Sequence, residues 1–222
     1  GMNPGVVNMW VRRGVESYGV PARIDHFELD TGRPRRGWSP VVTWSRETFV
    51  DEIANDPAGY MEGRNQVREE WPNPLKCRIG MQSLLQPILP AEDYPRGFLL
   101  LHEENITLAQ RYDVPSRFLF AVSTETMNHL ESVYDVHGSL PLEAVVLGDN
   151  QKVPLDGCVT IGVRLSYARQ WVYFFNTTRH KACRGITGSC WQVAAGLESA
   201  LATLMDTPLK NRIYFMEDLF GT

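Results

Sequence analysis

The chain has 222 residues, 43% of them hydrophobic and 22% charged, with a formal net charge of −4. That composition is globular and allows one good core with room for an attached lobe. It excludes a nucleic-acid binder, which would carry a basic stripe with interleaved aromatics, and a membrane span, for which the apolar runs are too short. The N-terminus has no charged region followed by an apolar one, so no signal peptide is expected, and Gly1 ahead of Met2 reads as an expression scar. Cys77, Cys158, Cys183 and Cys190 show no C-x-x-C spacing and read as reduced thiols of a cytoplasmic protein. His26, His102, His129, His137 and His180 are scattered without ligand spacing, so no metal site is expected.

In chain order, Asn3 and Pro4 suit an N-cap and a first helical residue. Val7, Trp10, Val11 and Val15 then fall on one helical face, and Gly19 suits the stop. Ile24 to Asp30 reads as a strand, T-G-R-P-R-R-G as a basic turn-rich loop, Pro40 to Ser45 as a second strand and Glu47 to Ala54 as a short helix. Gln66 to Trp71 follows as a further strand, and Leu84 to Pro95, with three prolines, as a connection. Phe98 to Leu101 is a short apolar run behind Pro95 and Gly97, the pattern of a fully buried strand. It stops at His102, Glu103, Glu104 and Asn105, four polar residues read as a loop leaving the core, before a helix over Thr107 to Tyr112. Phe118 to Ser123 is a strand and Glu125 to Tyr134 a helix; Leu142 to Leu147, Val159 to Ser166 and Trp171 to Thr177 are strands, the last two a hairpin. Ser189 to Met205 is the strongest helix, with Ser189 as cap and Trp191, Ala194, Ala195, Leu201, Leu204 and Met205 as its apolar stripe. The fold class expected is α+β: a mixed, mostly antiparallel sheet with helices packed on one face, in a single domain spanning the chain and without a dinucleotide-binding crossover.

Gly188-Ser189-Cys190-Trp191 at a helix start is similar to the nucleophile segment of papain-like proteases, where a helix N-terminus lowers a thiol's pKa. That family needs a histidine downstream of the cysteine, and none follows Cys190 here. Cys190 is read instead as a small buried cysteine in the first turn of a core helix.

Four segments, in order, resemble the homospermidine synthases of the saccharopine dehydrogenase-like group. They are G-M-N-P-G-V-V at 1–7, T-W-S at 43–45 with Glu52 beyond it, G-F-L-L-L-H-E-E-N-I-T at 97–107, and Q-V-A-A at 192–195 with E-D-L-F near the end. The resemblance implies the substrate-binding and dimerisation domain of an enzyme that deaminates putrescine oxidatively through NAD, condenses the product with a second amine and reduces the imine. It implies that a Rossmann domain precedes this part in the family, so NAD is not expected to bind this chain alone. It implies His102, Glu28 and Trp44 as catalytic, Glu52, Trp44 and Glu28 as substrate-binding, and Asn3 as the cofactor contact. Each has a plainer reading: Asn3 as a helix cap, Trp44 as core, Glu28 and Glu52 as surface carboxylates, His102 as a structural histidine. The stretch after Glu52, A-G-Y-M-E-G-R, looks more like saccharopine or carboxynorspermidine dehydrogenases, whose carboxylated substrates would want cations such as Arg33, Arg35 and Arg36. A non-enzymatic module binding a small amine or a protein is the third reading. The partners expected are a small amine, a second copy in a homodimer and a separate dinucleotide-binding domain, with neither nucleic acid nor membrane.

Overall fold

The computed structural model describes residues 2–91, 93–206, 208–211 and 213–219; Gly1 and Phe220, both within the segments compared above, lie outside the described residues. In chain order the elements are α1 (Val7–Tyr18), β1 (Arg23–Asp30), β2 (Arg33–Pro34), β3 (Val41–Val42), α2 (Arg46–Val50), β4 (Gly59–Glu62), β5 (Asn65–Arg68), β6 (Arg78–Gly80) and α3 (Gln82–Leu85). They continue with β7 (Arg96–Leu100), α4 (Glu103–Tyr112), β8 (Ser116–Ala121), α5 (Thr124–His137), β9 (Val146–Leu147), β10 (Leu155–Asp156), β11 (Cys158–Ser166), β12 (Trp171–Arg179) and α6 (Gly188–Asp206). The fold is α+β with a mixed, mostly antiparallel sheet, as expected. Its main path runs β12-β11-β1-β8-β4-β5, with β7 also beside β8 and β6 beside β7. No helix among the described residues is long and apolar enough to cross a membrane.

β1 is the middle of this sheet. It pairs antiparallel with β11 and parallel with β8, and the registers set His26 beside Val163 and Phe118, and Glu28 beside Ile161 and Phe120. Because side chains alternate along a strand, Ile24, His26, Glu28 and Asp30 share one face, and Asp25, Phe27 and Leu29 the other. The first face packs under α1 and α4, where Val11, Ile24, Leu108, Val163 and Leu165 form one buried cluster. It also lies under Phe49 of α2, whose ring meets Phe98 and Phe120 edge-on at 6.2 and 5.8 Å.

Several boundaries differ from the sequence reading. Asn3 and Pro4 are extended, not helical; the chain turns at Gly5 (φ 141°), which an L side chain would resist, and α1 begins only at Val7. The strand expected from Pro40 to Ser45 shrinks to Val41–Val42, since Ser45 turns to cap α2 and accepts from the Thr48 N–H at 3.2 Å. The strand over Leu142 to Leu147 is a single helical turn followed by Val146–Leu147. α4 starts at Glu103, four residues earlier than expected, so the supposed loop is helix. Its entry is closed by the His102 N–H donating to Asn105 Oδ1 at 2.8 Å.

α6 departs most. Ser189 is not its cap: Thr187 Oγ1 takes the Cys190 N–H at 3.1 Å. The helix docks through Gly188, Ser189, Gln192 and Gly196, and its apolar stripe faces outward, with Trp191 at 55%, Leu201 at 59% and Met205 at 77% exposure. Cys190 is exposed rather than buried. Small residues let the helix backbone approach β12 and β11, and the large apolar residues are left on the far side.

Beside the central strand, Gly162 is a position without slack. A Cβ at Gly162 would lie 2.5 Å from Phe27 Cζ and 2.7 Å from the Phe174 carbonyl oxygen. Gly162→Ala should therefore destabilise the fold by about 2 kcal/mol through overpacking, read as a lower denaturation midpoint in urea at unchanged slope; an unchanged midpoint would contradict this packing.

Candidate functional site

Three titratable side chains, His26, Glu28 and Asp30, stand on the helix-covered face of β1, and each has a different environment. Asp30 is saturated. Its Oδ1 accepts from the Gly32 N–H at 2.8 Å and from His180 Nε2 at 3.1 Å, and its Oδ2 accepts from the Thr43 hydroxyl. His180 Nδ1 accepts from the Gly188 N–H at 2.9 Å, which places the ring proton on Nε2, toward Asp30. Thr43 in turn lies 2.6 Å from Ser189 Oγ. One buried carboxylate thus ties β1, the segment before α2 and the first turn of α6 together.

Glu28 is not saturated. It lines a pocket of about 280 Å3 with Asn3, Trp44, Glu52, His102, Phe118 and Phe120. Its one side-chain partner among the described residues is Asn3 Nδ2, at 3.4 Å. Burial, and then the charges of Asp30 and Glu52, push its carboxyl up to about 8. At neutral pH this carboxyl keeps its proton. The extended conformation of Asn3 is what turns its amide toward Glu28, and its Oδ1 is buried without a partner.

His102 is delivered by the junction of β7 and α4. Its Nδ1 bonds the carboxylate of Glu104, the second residue of the helix, and its Nε2 lies 3.6 Å from Glu52 Oε1. The ring lies over Phe118 at 5.3 Å. Burial works against charge on this imidazole, but hydrogen bonds and charges from Glu104 and Glu52 outweigh it and raise its pKa to about 10. Glu52 sits on the helical turn Asp51–Asn55 that continues α2. Trp44 packs edge-on to Phe120 at 6.4 Å and leaves Nε1 buried without an acceptor.

The residues expected from the sequence therefore come together. Asn3, Glu28, Trp44, Glu52 and His102 line one cavity, although 99 positions separate the first from the last. Asn3 caps no helix, and neither Glu28 nor Glu52 is a free surface carboxylate. Arg33 lines a separate cavity with Leu29 and Trp38, and Arg35 and Arg36 line another with Val153. Sequence reasoning missed Glu104, the buried partner of His102, by taking H-E-E-N for a loop; helical spacing from Leu108 back to Glu104 was the available signal. It also missed the pocket wall at Thr48, which carries no signal of its own, and at Ser189 and Gln192, which were read as a helix cap and as part of Q-V-A-A. His26 is buried behind the pocket with both ring nitrogens unpartnered; burial pushes it down to about 4 against the pull of Glu104 and Asp25. No group of three His, Cys, Asp or Glu suited to a metal ion occurs among the described residues.

The His102 cage has a measurable consequence. A histidine whose folded pKa is raised stabilises the fold; that contribution is complete below its ordinary value of 6.5 and is lost as pH rises to about 10. Imidazole resonances followed by NMR should show His102 protonated through neutral pH. Glu104→Gln should lower its titration midpoint by more than about one unit, the order expected for losing a buried ionic hydrogen bond. A wild-type midpoint near 6.5 would refute the cage.

No protein-family model matches the chain, and no curated protein matches it.

Proposed function

We propose that this chain binds a short aliphatic diamine in the pocket between β1, α2 and α4, as the substrate-handling domain of a homospermidine synthase-like, NAD-dependent oxidoreductase or transferase acting on putrescine. The observation that carries this reading is the convergence of Glu28, Trp44, Glu52 and His102 on one small cavity. At about 280 Å3 it lies just below the usual range of ligand pockets, roughly 300–1,000 Å3, in keeping with a small ligand. Its charge also fits. With Glu28 ionised, the three carboxylates Glu28, Glu52 and Glu104 face one imidazolium, leaving a net −2 opposite a diammonium. Phe118 and Phe120 supply apolar wall between the charged ends, and the Trp44 ring offers a face to a cation. The carboxylated-amine alternative needs arginines in the cavity, and Arg33, Arg35 and Arg36 line other cavities.

The residues described do not fit a whole dinucleotide. The parallel strands of the main sheet, β1 and β8, run into Thr31-Gly32 and Val122-Ser123, neither of them a glycine-rich turn opening a helix at a pyrophosphate. No hydride step is therefore assigned here. The roles left to the chain's own groups are substrate capture at Glu28 and Glu52, and at His102 a charge held close to the reacting amine. A dinucleotide-binding domain as partner, and a cytoplasmic setting in keeping with four free thiols, belong to the same reading.

Putrescine supplies the test. Glu28 holds a proton in the empty pocket, and an ammonium favours the carboxylate, so binding should expel that proton. Affinity should accordingly rise as pH climbs through neutrality to about 8, and the heat of binding should vary with the ionisation enthalpy of the buffer. Glu52→Gln and Trp44→Ala should each weaken binding about tenfold or more. Glu28→Gln should abolish the proton release. It should also leave the fold at least as stable at about pH 8, because a carboxyl with a raised folded pKa costs stability as pH rises from 4.5 to about 8. Absence of putrescine binding across this range would sink the proposal.

The same reading includes a homodimer. The outward stripe of α6, with Trp191, Leu197, Leu201 and Leu204 each more than half exposed, is apolar and almost uncharged, suited to pairing with its own copy about a two-fold axis. Light scattering at high micromolar concentration should give about twice 25.2 kDa, and Leu201→Glu should return the monomer mass. A wild-type monomer at that concentration would count against dimerisation.

A further inference from the structure

On the sheet face opposite the pocket, at the amino ends of β1 and β8, three guanidiniums surround one buried carboxylate. Asp25 Oδ1 takes Arg23 Nε at 3.0 Å and Arg117 Nε at 2.5 Å, while Oδ2 takes Arg164 Nε at 3.0 Å and Nη2 at 2.5 Å. Burial opposes ionisation of Asp25, and the charges of Arg117, Arg164 and Arg23 override it, holding its pKa below the ordinary value. Arg164 is spent in this arrangement: its Nη1 donates to the Ser83 carbonyl at 3.1 Å, and its guanidinium lies 5.4 Å from the Trp171 ring centre.

Arg23 and Arg117 are different. Both are gripped through Nε alone, and their η nitrogens have no acceptor among the described residues. Both line a cavity of about 420 Å3 whose other walls include Tyr60, Ile79 and Leu99. One carboxylate cannot neutralise three guanidiniums. Burial, with the charges of Arg23 and Arg164, pulls the Arg117 pKa below its ordinary value despite Asp25. Two guanidiniums anchored on one buried carboxylate, with their η donors left over beside a shared cavity, suit a ligand carboxylate. Glu62 and Glu69 also line the cavity, and neither makes an ion pair among the described residues. They repel a ligand that is only anionic and attract one that carries an ammonium as well.

We propose that this cavity is a second ligand site, and that it takes an α-amino acid zwitterion. The ligand's carboxylate lies on the η edges of Arg23 and Arg117, its ammonium faces Glu62 and Glu69, and an apolar side chain rests on Ile79 and Leu99. The site is separated from the diamine pocket by the thickness of the sheet and does not rest on the reading of that pocket.

Calorimetric titration of the full chain with L-methionine tests it, with butyrate, inorganic phosphate and putrescine as the other probes. L-Methionine should bind once per chain and more tightly than butyrate or phosphate. Arg23→Gln removes the more exposed of the two free guanidiniums and should weaken binding about tenfold or more, as should Glu69→Gln. Glu52→Gln, on the other face, should leave it unchanged while weakening putrescine. Melting curves of the variants report whether the fold survives; should Arg23→Gln unfold, Glu69→Gln alone decides. Three results would each overturn the assignment: no heat with L-methionine, phosphate binding as tightly as the amino acid, or folded variants that bind L-methionine like the wild type.

Discussion

The structure depends on placing carboxyl groups on the inner face of a central strand. Burying a carboxylate costs several kcal/mol unless its oxygens are satisfied, and β1 carries two on that face, Glu28 and Asp30, two residues apart. The chain resolves them in opposite ways. Around Asp30 it assembles a backbone N–H, a threonine and a histidine, and this knot fixes where α6 begins. Around Glu28 it supplies a single long contact from Asn3 and leaves the carboxyl protonated beside a cavity. A satisfied acid holds the walls in place, and an unsatisfied one is left for whatever enters.

The junction of β7 and α4 shows how local structure becomes electrostatics. Phe98 to Leu100 are buried and cannot turn to water. The strand therefore ends by capping a helix, and the cap residue is His102. Its own N–H is closed by Asn105, which fixes the backbone. Helical geometry then brings Glu104 under the ring. Glu52 arrives from a separate element, the turn after α2, so the imidazolium is held between two acids from two directions. The cost of burying this charge is offset only because all three groups are held together.

How much of this could be read in advance differs by kind of feature. The hairpin of β11 and β12 and the strand β1 are plain in the amino-acid pattern, because alternation and turn residues are local. Helix starts were not, because Asn3 and Ser189 are taken by tertiary partners and the entry at His102 is closed by a cap read as a loop. Asn3 is drawn to Glu28, Ser189 to Thr43, and the helix after His102 starts early because Asn105 closes its entry. Asn3, Trp44, Glu52 and His102 fall in or beside the four ordered segments and Glu28 on the strand β1, whereas Glu104 and Ser189, which position or flank them, were read as part of a loop and as a helix cap. Their importance lies in what they touch.

α6 joins these threads. Its sequence shows a stripe of large apolar residues, and the ordinary expectation is that such a stripe faces the core. Here a second periodicity wins, that of Gly188, Ser189, Gln192 and Gly196. Close approach along this seam lets the Gly188 N–H reach His180, Ser189 reach Thr43, and Gln192 donate to Asn176 Oδ1 at 2.8 Å. A bulky residue at Gly188, where even a Cβ would lie 3.0 Å from the Thr178 carbonyl oxygen, would lift the start of the helix from the sheet, breaking the Asp30 knot and opening the wall of the cavity. The polar cage around β1 therefore selects the small face of the helix, and the large residues are left outside as a consequence of how the pocket is built.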